Sequence, residues 1–224
     1  MSAEPFRCFG GGEPLYAEYH DHEWGRPVTD ERALLERVCL EGFQSGLSWL
    51  TILRKREGFR RAFAGFDPEA LARFGDEDVE RLVQDASIIR HRGKIEAAIA
   101  NGRATAGLHA DGLTLRELLW SHAPSEAPPP VDDLYALPST TPESKALSHE
   151  LKKRGFRFVG PTTAYAAMQA CGVVNDHLAQ CPVRAEVESE RATLLKRGRP
   201  AQRDRARSRP NGVRRRSADQ GGHP

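Results

Sequence analysis

Helix starts and stops recur along this chain, while alternating apolar and polar runs are short and few. That combination confines it to an all-α fold. Asp30 precedes an apolar stripe of Leu34, Leu35 and Val38, and an aspartate there can accept from the first-turn N–H groups that have no partner inside the helix. Asp67-Pro68 and Asp76 mark two further starts, the second leading through Val79, Leu82 and Val83. Proline suits such a position because the N–H it lacks is not used there. Thr141-Pro142 opens a helix that Gly155 ends, and Gly160-Pro161 opens one that runs to Cys171-Gly172. Gly42 and Gly46 loosen or break the helix begun at Asp30 before Trp49, Ile52 and Leu53 continue the pattern. The best alternating run, Phe156-Arg157-Phe158-Val159, is too short and isolated to build a sheet. The proline-rich piece Ala123 to Pro130 reads as an ordered or semi-rigid connector crossing the surface.

With 224 residues the chain can bury a sizeable core. We read one helical domain over 1–182 and an Arg-rich tail over 183–224 whose apolar content is too low for a core, so that it is expected to be disordered. Within that tail 185–197 has the composition of a transient helix. The formal charge of +2 hides this asymmetry, and the tail reads either as an accessory arm for phosphate backbones or as an inert extension. No apolar stretch approaches the ~20 residues a bilayer requires, and the start lacks a signal-peptide apolar region. A soluble cytoplasmic protein with no membrane partner is expected, its four cysteines reduced or bound to metal rather than paired.

Between Leu15 and Trp49 the chain gathers Tyr16, Tyr19, Trp24 and Trp49 with His20, Asp21, Glu23, Glu41 and Gln44. Aromatic rings offer flat faces to a planar ligand, and a carboxylate near a buried stripe, as Glu41 is, is tolerated when it has donors to accept from. A nucleobase meets both requirements. Taken singly, Glu41 reads better as a solvent-facing or capping carboxylate and the aromatics as core; their clustering is what points to a pocket.

Cys8, His20, His177 and Cys181 form a second constellation. The four-residue spacing of His177 and Cys181 sets two ligands on one side of a helical turn, and Cys8 with His20 would complete a tetrahedral Cys2His2 zinc site joining the two ends of the domain. His22 is a rival to His20. Cys39 and Cys171 lie in apolar helical surroundings and read as core. A third feature, Ile88 to Ile95, reads as a tight basic turn between two helices. There Gly93 would let backbone N–H groups approach a phosphate at a helix start, with Arg90, Arg92 and Lys94 adding charge; a solvated basic loop is the alternative.

Together these residues resemble the 3-methyladenine DNA glycosylase I family of the helix-hairpin-helix superfamily. The likeness covers about residues 7 to 182. It rests on Pro14-Leu15-Tyr16, Tyr19-His20-Asp21, Glu23-Trp24-Gly25, Leu40-Glu41-Gly42, Gly46-Leu47-Ser48-Trp49, Ile88 to Lys94, Lys152 to Phe156, Met168 to Gly172 and Asn175-Asp176-His177. The resemblance implies a helical fold, hydrolytic excision of N3-methyladenine as the free base from alkylated double-stranded DNA without strand cleavage, and action as a monomer associated with the nucleoid through DNA. It also implies one structural zinc on Cys8, His20, His177 and Cys181, with Glu41 bonded to the flipped base in a pocket of Tyr16, Tyr19, Trp24 and Trp49. Two departures stand out: Phe9-Gly10-Gly11-Gly12 occupies a stretch where the family usually has a tryptophan, and the turn carries only Gly93 in place of paired glycines. Asp111 sits near the position where many helix-hairpin-helix glycosylases carry an aspartate, but its Ala-Asp-Gly turn leaves it unassigned. Two other classes stay open at this level: a zinc-stabilised DNA-binding protein without turnover, and a catalytic zinc hydrolase.

Overall fold

A computed structural model describes residues 6–198, and every element among them is helical. In chain order the helices are α1 (Pro14–His22), α2 (Glu31–Gln44), α3 (Trp49–Ala62), α4 (Pro68–Ala72), α5 (Asp76–Leu82), α6 (Arg92–Ala110), α7 (Leu115–Trp120), α8 (Pro142–Lys153), α9 (Pro161–Ala170) and α10 (Val183–Gly198). The starts expected from capping residues are where the physics puts them. Asp30 accepts from Ala33 N at 2.9 Å, Asp67 from Ala70 N at 2.8 Å and Thr141 from Ser144 N at 3.2 Å. Gly42 does not break α2, which runs on to Gln44; the break is the segment 45–48, closed by Ser48 as the cap of α3.

Helix α2 crosses the centre and packs on α3, α6, α7 and α9. Its buried face (Leu34, Leu35, Val38, Phe43) joins Phe59, Phe63, Phe66, Ile95, Leu151 and Met168 in the main core. A smaller cluster of Cys8, Tyr19, Trp24, Leu53, Leu178 and Cys181 lies beside it, and Trp49 packs against both. Cys39 and Cys171 belong to the main core, as expected.

The segment Phe156–Val159 is not a strand. Its backbone groups are taken up by side chains: Arg157 N donates to Asn101 Oδ1 at 2.7 Å, Asn101 Nδ2 to Arg157 O at 3.2 Å, and Ser148 Oγ to Val159 O at 2.7 Å. Once those bonds are made, no neighbouring strand is needed to satisfy the buried chain.

The folded body also extends beyond residue 182, where the sequence suggested a boundary. Helix α10 buries Val187 and Arg191 completely or nearly so, at 0% and 3% exposure. Arg191 donates to Gly172 O at 2.7 Å and Val173 O at 2.8 Å, and Arg26 bridges to Glu186 at 2.9 Å and to Glu190. The helix is polar because its partners are backbone carbonyls and charges rather than an apolar surface, which composition alone reads as a tail. The arginine-rich remainder, 199–224, lies outside the described residues. Arg191→Ala would leave two buried carbonyls without donors, and a loss of about 2–4 kcal/mol is expected. For a domain of this size that is a drop of roughly 5–10 °C in the unfolding midpoint, readable by thermal melting.

Candidate functional site

The four residues Cys8, His20, His177 and Cys181 come together, all buried, with their ligand atoms within 4.8 Å of one another. Cys181 Sγ lies 3.5 Å from His20 Nε2 and 3.4 Å from His177 Nδ1, and Cys8 Sγ lies 3.6 Å from the same His177 nitrogen. Sulfur and nitrogen ligands at ~2.3 and ~2.0–2.1 Å from a tetrahedral ion would stand about 3.5 Å apart, so the set fits a metal. Outer contacts fix both rings. His20 Nδ1 donates to Asp21 Oδ1 at 2.7 Å, and His177 Nε2 donates to Trp24 O at 3.0 Å. Because a carboxylate and a carbonyl only accept, each imidazole turns its free lone pair toward the cysteines. Asp21 is itself held by Arg7 at 2.7 Å, and the hydrogen bonds from that guanidinium keep its carboxyl below the usual range.

Burial lowers the protonation tendency of His177 to about 4 and pushes the Cys8 thiol up to about 12. Neutral imidazoles are therefore ready ligands, and a buried thiolate calls for a cation beside it. Gly25 makes the close approach possible: at φ +78° it admits no side chain without strain, and a Cβ there would stand 2.9 Å from His177 Nε2. His22, the rival ligand, is solvent-exposed and faces Glu18 instead.

Beside this cluster, where the two cores meet, lies a cavity of about 370 Å³. Tyr16, Tyr19, Trp24, Glu41 and Trp49 all line it. The first two come from α1, Trp24 from the turn after it, Glu41 from α2 and Trp49 from the start of α3. Tyr19 and Trp49 stand 5.4 Å apart, and Tyr16 OH accepts from Leu50 N at 3.1 Å, which ties the α1 wall to the α3 wall. Phe9 fills the place left by the altered N-terminal stretch, edge-on to Tyr16 at 5.8 Å and to Trp24 at 5.0 Å. Gly10 lets it do so, since a Cβ there would stand 2.3 Å from Tyr16 Cβ.

Glu41 is 7% exposed and has no hydrogen-bond partner among the described residues. Desolvation raises its carboxyl to about 8, with Arg37 pulling the other way. Trp49 Nε1 is likewise buried without a partner. An acidic group and a donor left unsatisfied among five rings can pair with the polar edge of a planar ligand.

Gln44, part of the aromatic cluster in the sequence, joins the lining, and Leu134, Leu137, Ala166 and Gln169, which sequence reasoning did not assign to a site, complete it. Leu134 and Leu137 arrive from the connector before α8, and no local pattern predicts that placement. Gln169 lies in a motif noted for its resemblance, but its role depends on a partner distant in space. Leu47, 37% exposed, sits on the segment between Gln44 and Trp49, held there by Gln44 Nε2 on its carbonyl at 3.3 Å.

The basic turn lies between α5 and α6, and its residues divide. Arg90 and Arg92 are exposed, Arg92 against Glu80 at 2.8 Å. Gly93 belongs to the first turn of α6 rather than to the turn itself, and His91 caps that helix by accepting from Lys94 N at 3.2 Å. Lys94 does not face solvent. It is 8% exposed, and its ammonium donates to Phe43 O at 2.9 Å and Ser45 O at 2.6 Å, the carbonyls that end α2. A cation there answers the negative end of the helix and pins the segment leading to Trp49. It is a scaffold residue rather than a phosphate contact.

Comparison with known proteins agrees with this geometry. A family model described as methyladenine glycosylase matches residues 9–185. The chain is 52% identical over 172 residues to DNA-3-methyladenine glycosylase 1 of Escherichia coli (strain K12), covering 75% of this chain and 91% of that protein. Among solved structures it resembles a crystal structure of 3-methyladenine DNA glycosylase I with a TM-score of 0.76 and 49% identity, covering 79% of this chain and 98% of that one. It also resembles a tyrosine-to-phenylalanine variant of 3-methyladenine DNA glycosylase I in complex with 3-methyladenine, with a TM-score of 0.74 and 34% identity over 79% of this chain and 96% of that one. The chain belongs to the methyladenine glycosylase family.

Proposed function

We propose that this protein hydrolyses the N-glycosidic bond of N3-methyladenine in alkylated double-stranded DNA and releases the free base. The observation that carries the reading is Glu41, a buried carboxyl without a hydrogen-bond partner among the described residues, at the wall of a ring-lined cavity. The base reaches such a cavity only by leaving the helix stack, and a damaged, weakly paired base leaves at least cost. N3-methylation makes adenine cationic, so the glycosidic bond already tends to break toward an oxocarbenium-like state. The protein then has only to favour departure. Rings of Tyr19 and Trp49 against the electron-poor base supply a cation–π contact of ~1–2 kcal/mol. Glu41 accepts from the exocyclic amine and so holds the flipped, cationic base in the cavity.

Arg90, Arg92 and the first-turn N–H groups of α6, Gly93 among them, would meet the phosphate backbone in the manner of a helix-hairpin-helix. Exposed Leu47, between two lining residues, suits the gap left when a base swings out. Absence of lysine among the described lining residues supports hydrolysis without an imine or strand cleavage. Asp111 caps the far end of α6, about 28 Å along the helix from its start, which supports leaving it without a role. The cysteine and histidine set would hold one structural zinc. Four protein ligands fill a tetrahedral shell, which weighs against a catalytic ion. Within a cell the protein would act as a cytoplasmic monomer, nucleoid-associated through DNA.

The test is chromatographic. Duplex DNA treated with a methylating agent should yield free 3-methyladenine on incubation with the protein, and the strand should stay intact until alkali is added. No base release would overturn the proposal, and strand breaks without alkali would overturn its hydrolytic form.

A further inference from the structure

Gln169 lies in the last turn of α9 and lines the cavity, but half of its amide is already engaged elsewhere. Its Nε2 donates to Asp176 Oδ2 at 2.7 Å, and the same oxygen accepts from Tyr165 OH at 2.7 Å. Asp176 is 5% exposed and does not itself line the cavity. A carboxylate can only accept, so it dictates which way the amide faces: nitrogen toward Asp176, oxygen away from it. No described residue donates to Gln169 Oε1. Gln44, the other amide of the wall, also spends its Nε2 outside the cavity, on Leu47 O at 3.3 Å. Each amide thus has one N–H spent and its oxygen unengaged, in the same lining as Glu41. On the Gln169 side the atom turned away from Asp176 is an acceptor.

We infer that Gln169 is a specificity-determining residue, held by Asp176 so that its carbonyl oxygen favours a 3-methylated base bearing an amine over one bearing a carbonyl at the corresponding ring position. This rests on the glycosylase reading above. An exocyclic amine donates to Oε1, whereas a 6-oxo group would set oxygen against oxygen, leaving two acceptors facing each other in a site with little water to separate them. Asp176, which would not touch the base, is a positioning residue. Tyr165 steadies it from the other side.

The experiment measures 3-methyladenine and 3-methylguanine released from the same methylated duplex. Gln169→Leu removes the acceptor and should lower the ratio of the two initial rates by about tenfold. The paired exchange Gln169→Glu with Asp176→Asn keeps an oxygen for the cavity, because the introduced asparagine can donate to one oxygen of the introduced carboxylate and accept from Tyr165 with its own. That ratio should stay at or above the parent value. Equal loss of both products in Gln169→Leu, or an unchanged ratio, would overturn the inference. So would a collapsed ratio in the paired exchange, which can be read even if Gln169→Leu does not fold. A parent protein that releases neither base would instead remove the glycosylase reading itself.

Discussion

Base release by Glu41→Gln is expected to fall between about 10- and 100-fold, the loss of one charge-assisted hydrogen bond of ~1.5–3 kcal/mol that holds the flipped base in place. Its pH dependence should change as well. Burial raises the Glu41 carboxyl from 4.5 to about 8, so ionised Glu41 gains population as pH rises toward and through that value. In the parent protein kcat/KM at subsaturating DNA should climb over that range, while the profile of Glu41→Gln should be flat. Stability should move the opposite way. The folded protein holds a proton that the unfolded chain has lost between pH 4.5 and about 8, so the contribution of this group is full below the unfolded value and is lost as pH rises through the folded one. Glu41→Gln should therefore melt above the parent at pH 9 and near it at pH 5. Undiminished base release would remove Glu41 from the chemistry, and a parent protein that melts no lower than the variant at pH 9 would remove the strained-carboxyl account.

Removing the proposed zinc is expected to cost the fold about 10–15 °C. The ligand set joins residues 169 apart in the chain, and cross-linking positions more than a hundred residues apart is worth ~4–5 kcal/mol by chain entropy, with ~2–4 °C per kcal/mol at this size. The effect should be larger than for a peripheral site because Cys8, His20, His177 and Cys181 are at most 8% exposed, and without an ion their ligand atoms stay crowded within 4.8 Å of one another. Thermal melting before and after a strong chelator, alongside a zinc assay of the denatured protein, measures both halves of the claim. One equivalent of zinc per chain and a matching loss in Cys181→Ala are expected. A protein free of zinc, or a midpoint indifferent to chelation, would contradict it. Asp21→Asn should show a weaker form of the same loss, since that carboxylate orients His20 rather than binding the ion.

How far the sequence carried depended on the range of each interaction. Asp30, Asp67 and Thr141 announced their helices because a cap is a contact within three residues. The cysteine and histidine cluster was legible mainly through the family resemblance, because its ligand pairs lie far apart in the chain, and the aromatic wall because most of its members lie close together in it. Where a side chain ends up when its partner is distant could not be read that way. Lys94, in a run of basic residues, turns inward because α2 happens to end beside it with two free carbonyls. Helix α10, polar by composition, joins the fold because the loop after α9 exposes carbonyls that Arg191 can reach. Phe156–Val159 gives up its extended pattern because Asn101 and Ser148 take its hydrogen bonds first. The facing of Gln169 is set by Asp176, seven residues on but across a chain reversal. The sequence by itself determined where the capped helices start and which residue types gather at the cavity and the cysteine and histidine cluster. Only the tertiary structure decided which polar groups are spent on the scaffold and which remain for a ligand, because that depends on where unsatisfied backbone and charge from remote segments come to lie.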